Sequence, residues 1–434
     1  MTDTQPAPTP TPGSSTVAVS DFGIDTVDLS FSEVLRDYAV RVKGGQVGSL
    51  PGIIGLTAIF LIFTVAKGGT FLSVYNFSNL IQQAAWMVIL AMGVSFVLML
   101  GEIDLAAGAT MGVTASIIFT RIKADWPVPL AVLLGFAVGI TLGLITGVLV
   151  AKVGIPSFVV TLALFLAWQG LTLKIAKEGG SIDVPDGSVL QALNARNMKP
   201  VISWIIALGA LLIYAVYSVS KVASRKRRGA HSDPYSVVGV KVGILSLVTI
   251  VATLLLNRNR ALAATAKPLR GMPYIVPVIF VLLSLLTVAL NRTRWGRHLY
   301  AVGGNAEAAR RAGINVTRIK VSAFVLTGFL ATIAGLAYVS KVGSVTPQTG
   351  SGDELLRAVG AAVVGGTSLF GGRGKMTTAL IGGFVLASID NGLGLISKVG
   401  PFEVDAGFKF VVTGLVLLVF GSIDALTRRR SAAG

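Results

Sequence analysis

Three carboxylates stand among residues that are otherwise almost entirely apolar: Glu102 and Asp104 in "GEIDLAAGATMG", and Asp390 in "ASIDNGLG". A carboxylate at membrane depth is costly and marks a functional position by default. It accepts hydrogen bonds from a hydroxylated solute, or holds a proton or a cation. Asp104 has a second reading, because its type and place suit a cap on a helix beginning at Leu105. Asp390 lies inside an apolar segment, where it pairs with a neighbouring helix, contacts a solute, or sits at a break introduced by Asn391 and Gly392. The stretch "TLALFLAWQG" adds Thr161, Trp168 and Gln169. An indole stacks on a sugar face while an amide bonds its hydroxyls. An interfacial Trp beside an interhelical hydrogen bond is the favoured account of the same residues. Glu102, Asp104, Thr161, Trp168, Gln169, Asp390 and Asn391 are the candidate solute path.

Other chemistry is excluded residue by residue. "GGTSLFGGRGKM", residues 365–376, fails as a phosphate-binding loop: Leu369 stands where the first glycine is required, and Met376 where Ser or Thr must reach magnesium. No GxSxG and no HExxH occurs. With no cysteine, thiolate catalysis and Cys-ligated metals are excluded. His231 and His298 both lie in basic loops, which makes a histidine-built metal site an unsuitable reading. The chain is therefore expected to be no enzyme and to carry no metal or cofactor of its own.

The elements that must position these residues follow from composition. Apolar residues make up 53% of the 434 positions and charged residues 13%, with a mean hydropathy of +0.77. Stretches near the length that crosses hydrocarbon recur along most of the chain. The fold class is all-α, a polytopic membrane protein of about ten to twelve transmembrane segments. Twelve apolar segments are read near 51–66, 80–100, 104–120, 127–150, 156–174, 200–220, 236–256, 272–291, 319–340, 354–370, 375–397 and 404–425. Those at 104–120 and 354–370 are short and rich in Gly and Ala, and are expected to be broken or re-entrant. A long, a short and two long segments run from 80 to 174, and the same order recurs from 319 to 425 in the opposite sense. Such inverted repeats with interrupted segments flank substrate paths in transporters. "GFAVGITLGLITG" places Gly135, Gly139, Gly143 and Gly147 on one helical face, a surface for close helix contact.

The net charge of +17 arises from Lys and Arg in the short loops, a sign of membrane orientation rather than of nucleic-acid binding. Both termini are placed on the cytoplasmic side, together with "SRKRRG" and "TRRR". The basic stretch at 258–270 falls on the other side. Residues 1–30, rich in Pro, Thr and Ser, read as a disordered tail with no signal-peptide pattern. Residues 31–45 read as an amphipathic helix on the membrane surface, or a solvated helix leading into the first span. Residues 46–427 form one transmembrane domain, with an additional hairpin at 200–256.

The insert "GGNAEAARRAGINVTRIK", residues 303–320, separates two apolar segments. Ala306 to Ala312 is a strong helix-forming run, and Gly313 is well placed to end it. A positive loop accounts for the charge but not for a helix with a glycine stop.

This insert and the residues after it resemble the cytoplasmic coupling region in permease subunits of bacterial sugar-importing ABC transporters, the ribose, galactose and xylose permease family. "GEIDLAAGATMG", "IPSFVVTLALFLAWQG" and "ELLRAVGAAVVGGTSLFGGRG" resemble other stretches of that family in the expected order. The hairpin at 200–256 is similar to the xylose branch, whereas the long Pro/Thr-rich tail departs from shorter members. The resemblance implies a homodimer of permeases in the bacterial inner membrane. It also implies a cytoplasmic ATPase holding ATP and Mg, and an extracytoplasmic binding protein that delivers a monosaccharide such as xylose. On that footing Gly304, Asn305, Glu307, Ala308, Ala309, Arg310, Arg311, Gly313 and Ile314 meet the ATPase. Competing readings are an ion-coupled secondary transporter using Asp390 or Glu102, and an ABC permease for another sugar or a branched-chain amino acid.

Overall fold

A computed structural model describes Arg36, Val40 and residues 50–433, apart from 178, 228–233, 262–267, 400 and 401. The tail at 1–30 and all but two residues of the proposed surface helix at 31–45 lie outside this set. All twelve apolar segments are helices: α1 (Leu50–Phe71), α2 (Val74–Met99), α3 (Ala107–Lys123), α4 (Val128–Val148), α5 (Ser157–Ala176), α7 (Pro200–Arg227), α8 (Tyr235–Asn257), α9 (Ile275–Arg292), α12 (Val316–Val342), α13 (Glu354–Gly365), α14 (Met376–Gly394) and α15 (Ala406–Ala433). Three short helices complete the order: α6 (Val189–Ala195), α10 (Arg294–Gly304) and α11 (Ala306–Arg311). A five-residue π turn, Leu149–Val153, extends α4. Sheet is confined to two-residue strands: β1 (Ile182–Asp183) paired with β2 (Ser344–Val345), and β3 (Lys398–Val399) with β4 (Phe402–Glu403), both antiparallel. Among the described residues, nine helices are long and apolar enough to cross a membrane, and the apolar stretch Ala406–Ser422 of α15 is slightly shorter. The chain is an all-α polytopic membrane protein.

The chain divides into two compact units. The smaller takes residues 1–38 and 209–248, and its described part is the inner portion of the hairpin. There the Lys226 ammonium lies over the Tyr235 ring at 5.2 Å. The larger unit, residues 39–208 and 249–434, holds every other element described below.

Helix α2 is the axis of the larger unit. Every residue from Ala84 to Met99 is buried, because α12, α13 and α14 pack around it. An apolar helix surrounded by other helices is screened from lipid on all sides. By contrast α1 and α4 turn Ile54, Leu61, Ile62, Val65 and Leu133 outward, as lipid-facing helices do. Helices α2 and α12 run antiparallel, for Lys341 near the end of α12 meets Asn79 near the start of α2, while the earlier Thr327 meets the later Gly93. In each half the short helix, α3 or α13, packs against both long helices that follow it.

Glycine sets the closest contact. A Cβ on Gly139 would run into the Gly328 carbonyl of α12, and a Cβ on Gly328 into the Gly139 carbonyl. Gly143 and Gly147 lie in the same way against Phe324 and Val321. The four-residue glycine spacing on α4 therefore builds a backbone-to-backbone seam with α12, where dispersion drives association and lipid gives no hydrophobic gain.

The two interruptions are held by polar contacts. Between α2 and α3, the Ser157 hydroxyl accepts from the Ile103 amide at 3.2 Å and Thr161 donates to the Ile103 carbonyl at 3.2 Å. Between α12 and α13, the chain enters a left-handed turn at Gly343 (φ +92°) and packs against Gly108 and Gly112 of α3.

Candidate functional site

The insert folds as its sequence dictates. Asn305 caps α11, its side-chain oxygen accepting from the Ala308 amide at 2.9 Å. Gly313, at φ +80°, ends the helix. The Gly313 amide donates to the Arg310 carbonyl and the Ile314 amide to the Ala309 carbonyl, both at 3.0 Å, the paired bonds of a Schellman stop. Asn315 then caps α12 through the Arg318 amide at 2.9 Å. Ala309 and Ile314 face the core, whereas Glu307, Arg310 and Arg311 face outward. Glu307 accepts from both arginines, at 3.1 and 3.3 Å, but Arg311 is 80% exposed, so these pairs contribute little and leave the guanidinium groups available. Ala308 and Gly304 complete the exposed surface.

A set of contacts that sequence reasoning missed anchors this insert. Gly303 abuts the Met99 carbonyl at the end of α2, and Gly371 abuts the Gly303 carbonyl and the Gly101 amide. The Gly372 amide donates to the Met99 carbonyl at 2.8 Å. The glycine-rich stretch that fails as a phosphate loop is thus a close-packed support for the insert. Tyr300 of α10 donates to the Gly374 carbonyl at 2.6 Å, and burial pushes its phenol above the ordinary tyrosine range. Trp295 donates to Ser322 at 2.7 Å and packs on Phe96 at 5.4 Å between centroids. Glu102 forms an ion pair with Lys320, on the first turn of α12. Glu102 accordingly stands at the insert end of the unit, apart from Asp390.

Asp104 is buried, but the helix begins at Ala107 and not at Leu105. Its carboxylate accepts from the Ala106 amide at 3.0 Å, an Asx turn ahead of the helix rather than a cap upon it. Thr161 is spent on the Ser157 and Ile103 carbonyls. Trp168 and Gln169 are half-buried on α5, with no hydrogen bond or ring contact joining them to the other candidates; the indole Nε1 is buried without a partner.

Asp390 and Asn391 belong to a polar cluster at the opposite end. Arg357 of α13 bonds both Asp353 and Asp390. The Asn391 amide donates to Asn76 at 2.9 Å and to Gln83 at 3.1 Å. Lys341 donates to Asn79 at 2.9 Å and to Gln82 at 2.7 Å. Tyr338 meets the Glu354 carboxylate, and its ring stands edge-on to Trp86 at 5.3 Å. Acids, amides, a guanidinium and two aromatic rings thus converge from α2, α12, α13 and α14. Their spacing in sequence is too long for any local pattern to announce. Among the described residues no group of three or more His, Asp or Glu is arranged to hold a metal ion.

A family model described as "Branched-chain amino acid transport system / permease component" matches residues 76–421. The chain belongs to this permease family. Residues of both polar regions fall inside the match. Among its relatives is the xylose transport system permease protein XylH of Escherichia coli (strain K12), 34% identical over 382 residues, covering 87% of this chain and 92% of the relative. The fructose import permease protein FrcC of Rhizobium meliloti is 28% identical over 382 residues, 88% of this chain and 86% of its own. The ribose import permease protein RbsC of Escherichia coli (strain K12) is 27% identical over 369 residues, 85% and 91% of the two chains. No solved structure matches the permease. As a member of a transport-permease family, the chain is a translocation subunit rather than an enzyme.

Proposed function

We propose that this permease imports a monosaccharide, a pentose such as xylose, across the bacterial inner membrane by alternating access driven by ATP. The observation that carries the reading is the near full-length similarity to sugar permeases, above all the 34% identity over 382 residues to a xylose permease. The geometry supports the division of labour. A capped, exposed helix with Arg310 and Arg311 outward suits a groove on a cytoplasmic ATPase. Its anchorage through Gly303, Tyr300 and Glu102–Lys320 suits a lever that moves α2 and α12 as one body. In this reading ATP and Mg reside on that partner, and a second permease copy completes the path. A binding protein delivers the sugar at the end carrying the polar cluster. The insert and both termini lie in the cytoplasm.

The ion-coupled reading is weakened by the pairing of its two carboxylates, Glu102 with Lys320 and Asp390 with Arg357. A carboxylate neutralised by an ammonium or guanidinium is a poor cation site. The test is purification from native membranes in mild detergent: a cytoplasmic ATPase is expected to accompany the permease. Monosaccharide uptake that a proton gradient sustains in ATP-depleted cells would overturn the proposal.

A further inference from the structure

The polar cluster at the end opposite the insert contains one atom that the protein leaves without a partner. Glu354 opens α13 and is 7% exposed, yet its Oε2 has no hydrogen-bond partner. Its carboxylate is bonded by the Tyr338 hydroxyl and by the Gly352 and Glu354 backbone at the start of the helix, and Tyr338 rests against Trp86. Arg357, one turn further along α13, is held by Asp353 on its own helix and Asp390 on α14. A carboxylate has about four lone-pair sites, so one held this way keeps acceptor capacity for a ligand hydroxyl.

We propose, resting on the import reading, that this cluster is where the permease itself contacts the sugar. The Glu354 Oε2 accepts a sugar hydroxyl, Trp86 and Tyr338 pack against the ring's C–H face, and Arg357 and Asp390 bond further hydroxyls. Each group does what carbohydrate recognition requires. Hydroxyls need acceptors and donors side by side, and the apolar face of a pyranose needs an aromatic ring. The position also fits. The short helix α13 follows the break at 343–353, and the polar side chains on its first turn reach α12 and α14, two of the long helices of the second repeat. Interrupted helices at a repeat interface are where transporters hold their solutes. The contact differs from the path inferred from sequence, in which Trp168 and Gln169 would face the sugar.

The chain offers a clean test because it contains no cysteine. Gln83 is half-buried at the edge of the cluster, where its side-chain oxygen accepts from Asn391. Gln83→Cys is introduced as the single thiol of the full chain. Its alkylation by a small methanethiosulfonate reagent is followed in membrane vesicles from cells that express the complete importer. D-Xylose and D-ribose are the probes, and L-glucose is the control. The imported sugar is expected to slow labelling about tenfold, as occupancy of a site in contact with the thiol requires. Adding Glu354→Gln should remove most of that protection. Glu354→Asp, which keeps the charge, should retain part of it. Sugar import without any protection of Gln83→Cys would overturn the site while leaving the import reading intact. Protection that survives Glu354→Gln unchanged would overturn the role of Oε2. If neither sugar is imported by the parent importer and neither protects, the import reading and the site fall together.

Discussion

The two ends of the larger unit are both polar, but they use polarity in opposite ways. At the insert end, the polar side chains that tie the insert down are matched: Glu102 with Lys320, Tyr300 with the Gly374 carbonyl, and Trp295 with Ser322. Glycines there bring backbones into contact, and the charges of the insert, Glu307 with Arg310 and Arg311, face outward. At the other end, Arg357 is shared between two acids and a buried Glu354 oxygen is left over. A matched, close-packed region transmits displacement, because packed interiors deform little. In the proposed reading, the difference separates a transmitting end from a receiving end within one subunit.

The comparison is most severely broken at the seam joining the repeats. Gly139→Leu places a branched side chain against the Gly328 backbone, and overpacking of a backbone seam destabilises by roughly 3 kcal/mol or more. The variant is expected to lose its monodisperse peak in detergent size-exclusion chromatography. Arg310→Glu should act only at the transmitting end, abolishing uptake by at least about a hundredfold while the elution profile and thermal midpoint stay unchanged. Loss of the folded peak in that variant would mean that Arg310 serves the fold instead. Glu102→Gln leaves Lys320 partly buried and unpaired, a loss of roughly 1–3 kcal/mol between the exposed and buried limits. The double swap Glu102→Lys with Lys320→Glu should recover most of the lost stability in a melting curve, which a mere positional requirement for Glu102 would not allow. Tyr300→Phe removes one hydrogen bond, about 1 kcal/mol, and should lower the melting midpoint by no more than a few degrees. The uptake deficit it causes should be smaller than that of Glu102→Gln.

Local patterns were legible and distant partners were not. All twelve apolar segments appear as helices because hydrophobic length is a property of contiguous residues. The glycines of α4 and the Gly313 stop were readable for the same reason: one lies on a fixed helical period, the other at the end of a short run. The helix after Asp104 was read as starting two residues too early, because the chain stays irregular through Leu105 and Ala106 before α3 begins. Trp168 and Gln169 looked suited to a sugar by residue type alone, yet α5 leaves them outside the convergence of polar groups. Asp390 and Asn391 stand out in the sequence as polar residues in an apolar segment. Their partners Arg357, Asn76 and Gln83 do not, since these lie on other helices and only packing brings them together. Glu354 and Tyr338 likewise belong to no local pattern and meet only through packing.

The central claim is that ATP on a partner chain, acting through the 303–315 insert, drives sugar through this subunit. Uptake of radiolabelled D-xylose in intact cells expressing the importer tests it most directly. An uncoupler abolishes the proton gradient in one arm, and ATP is depleted with the gradient maintained in the other. The account predicts that uptake survives the uncoupler while ATP is present and stops when ATP is exhausted. Uptake that follows the proton gradient and ignores ATP would contradict it.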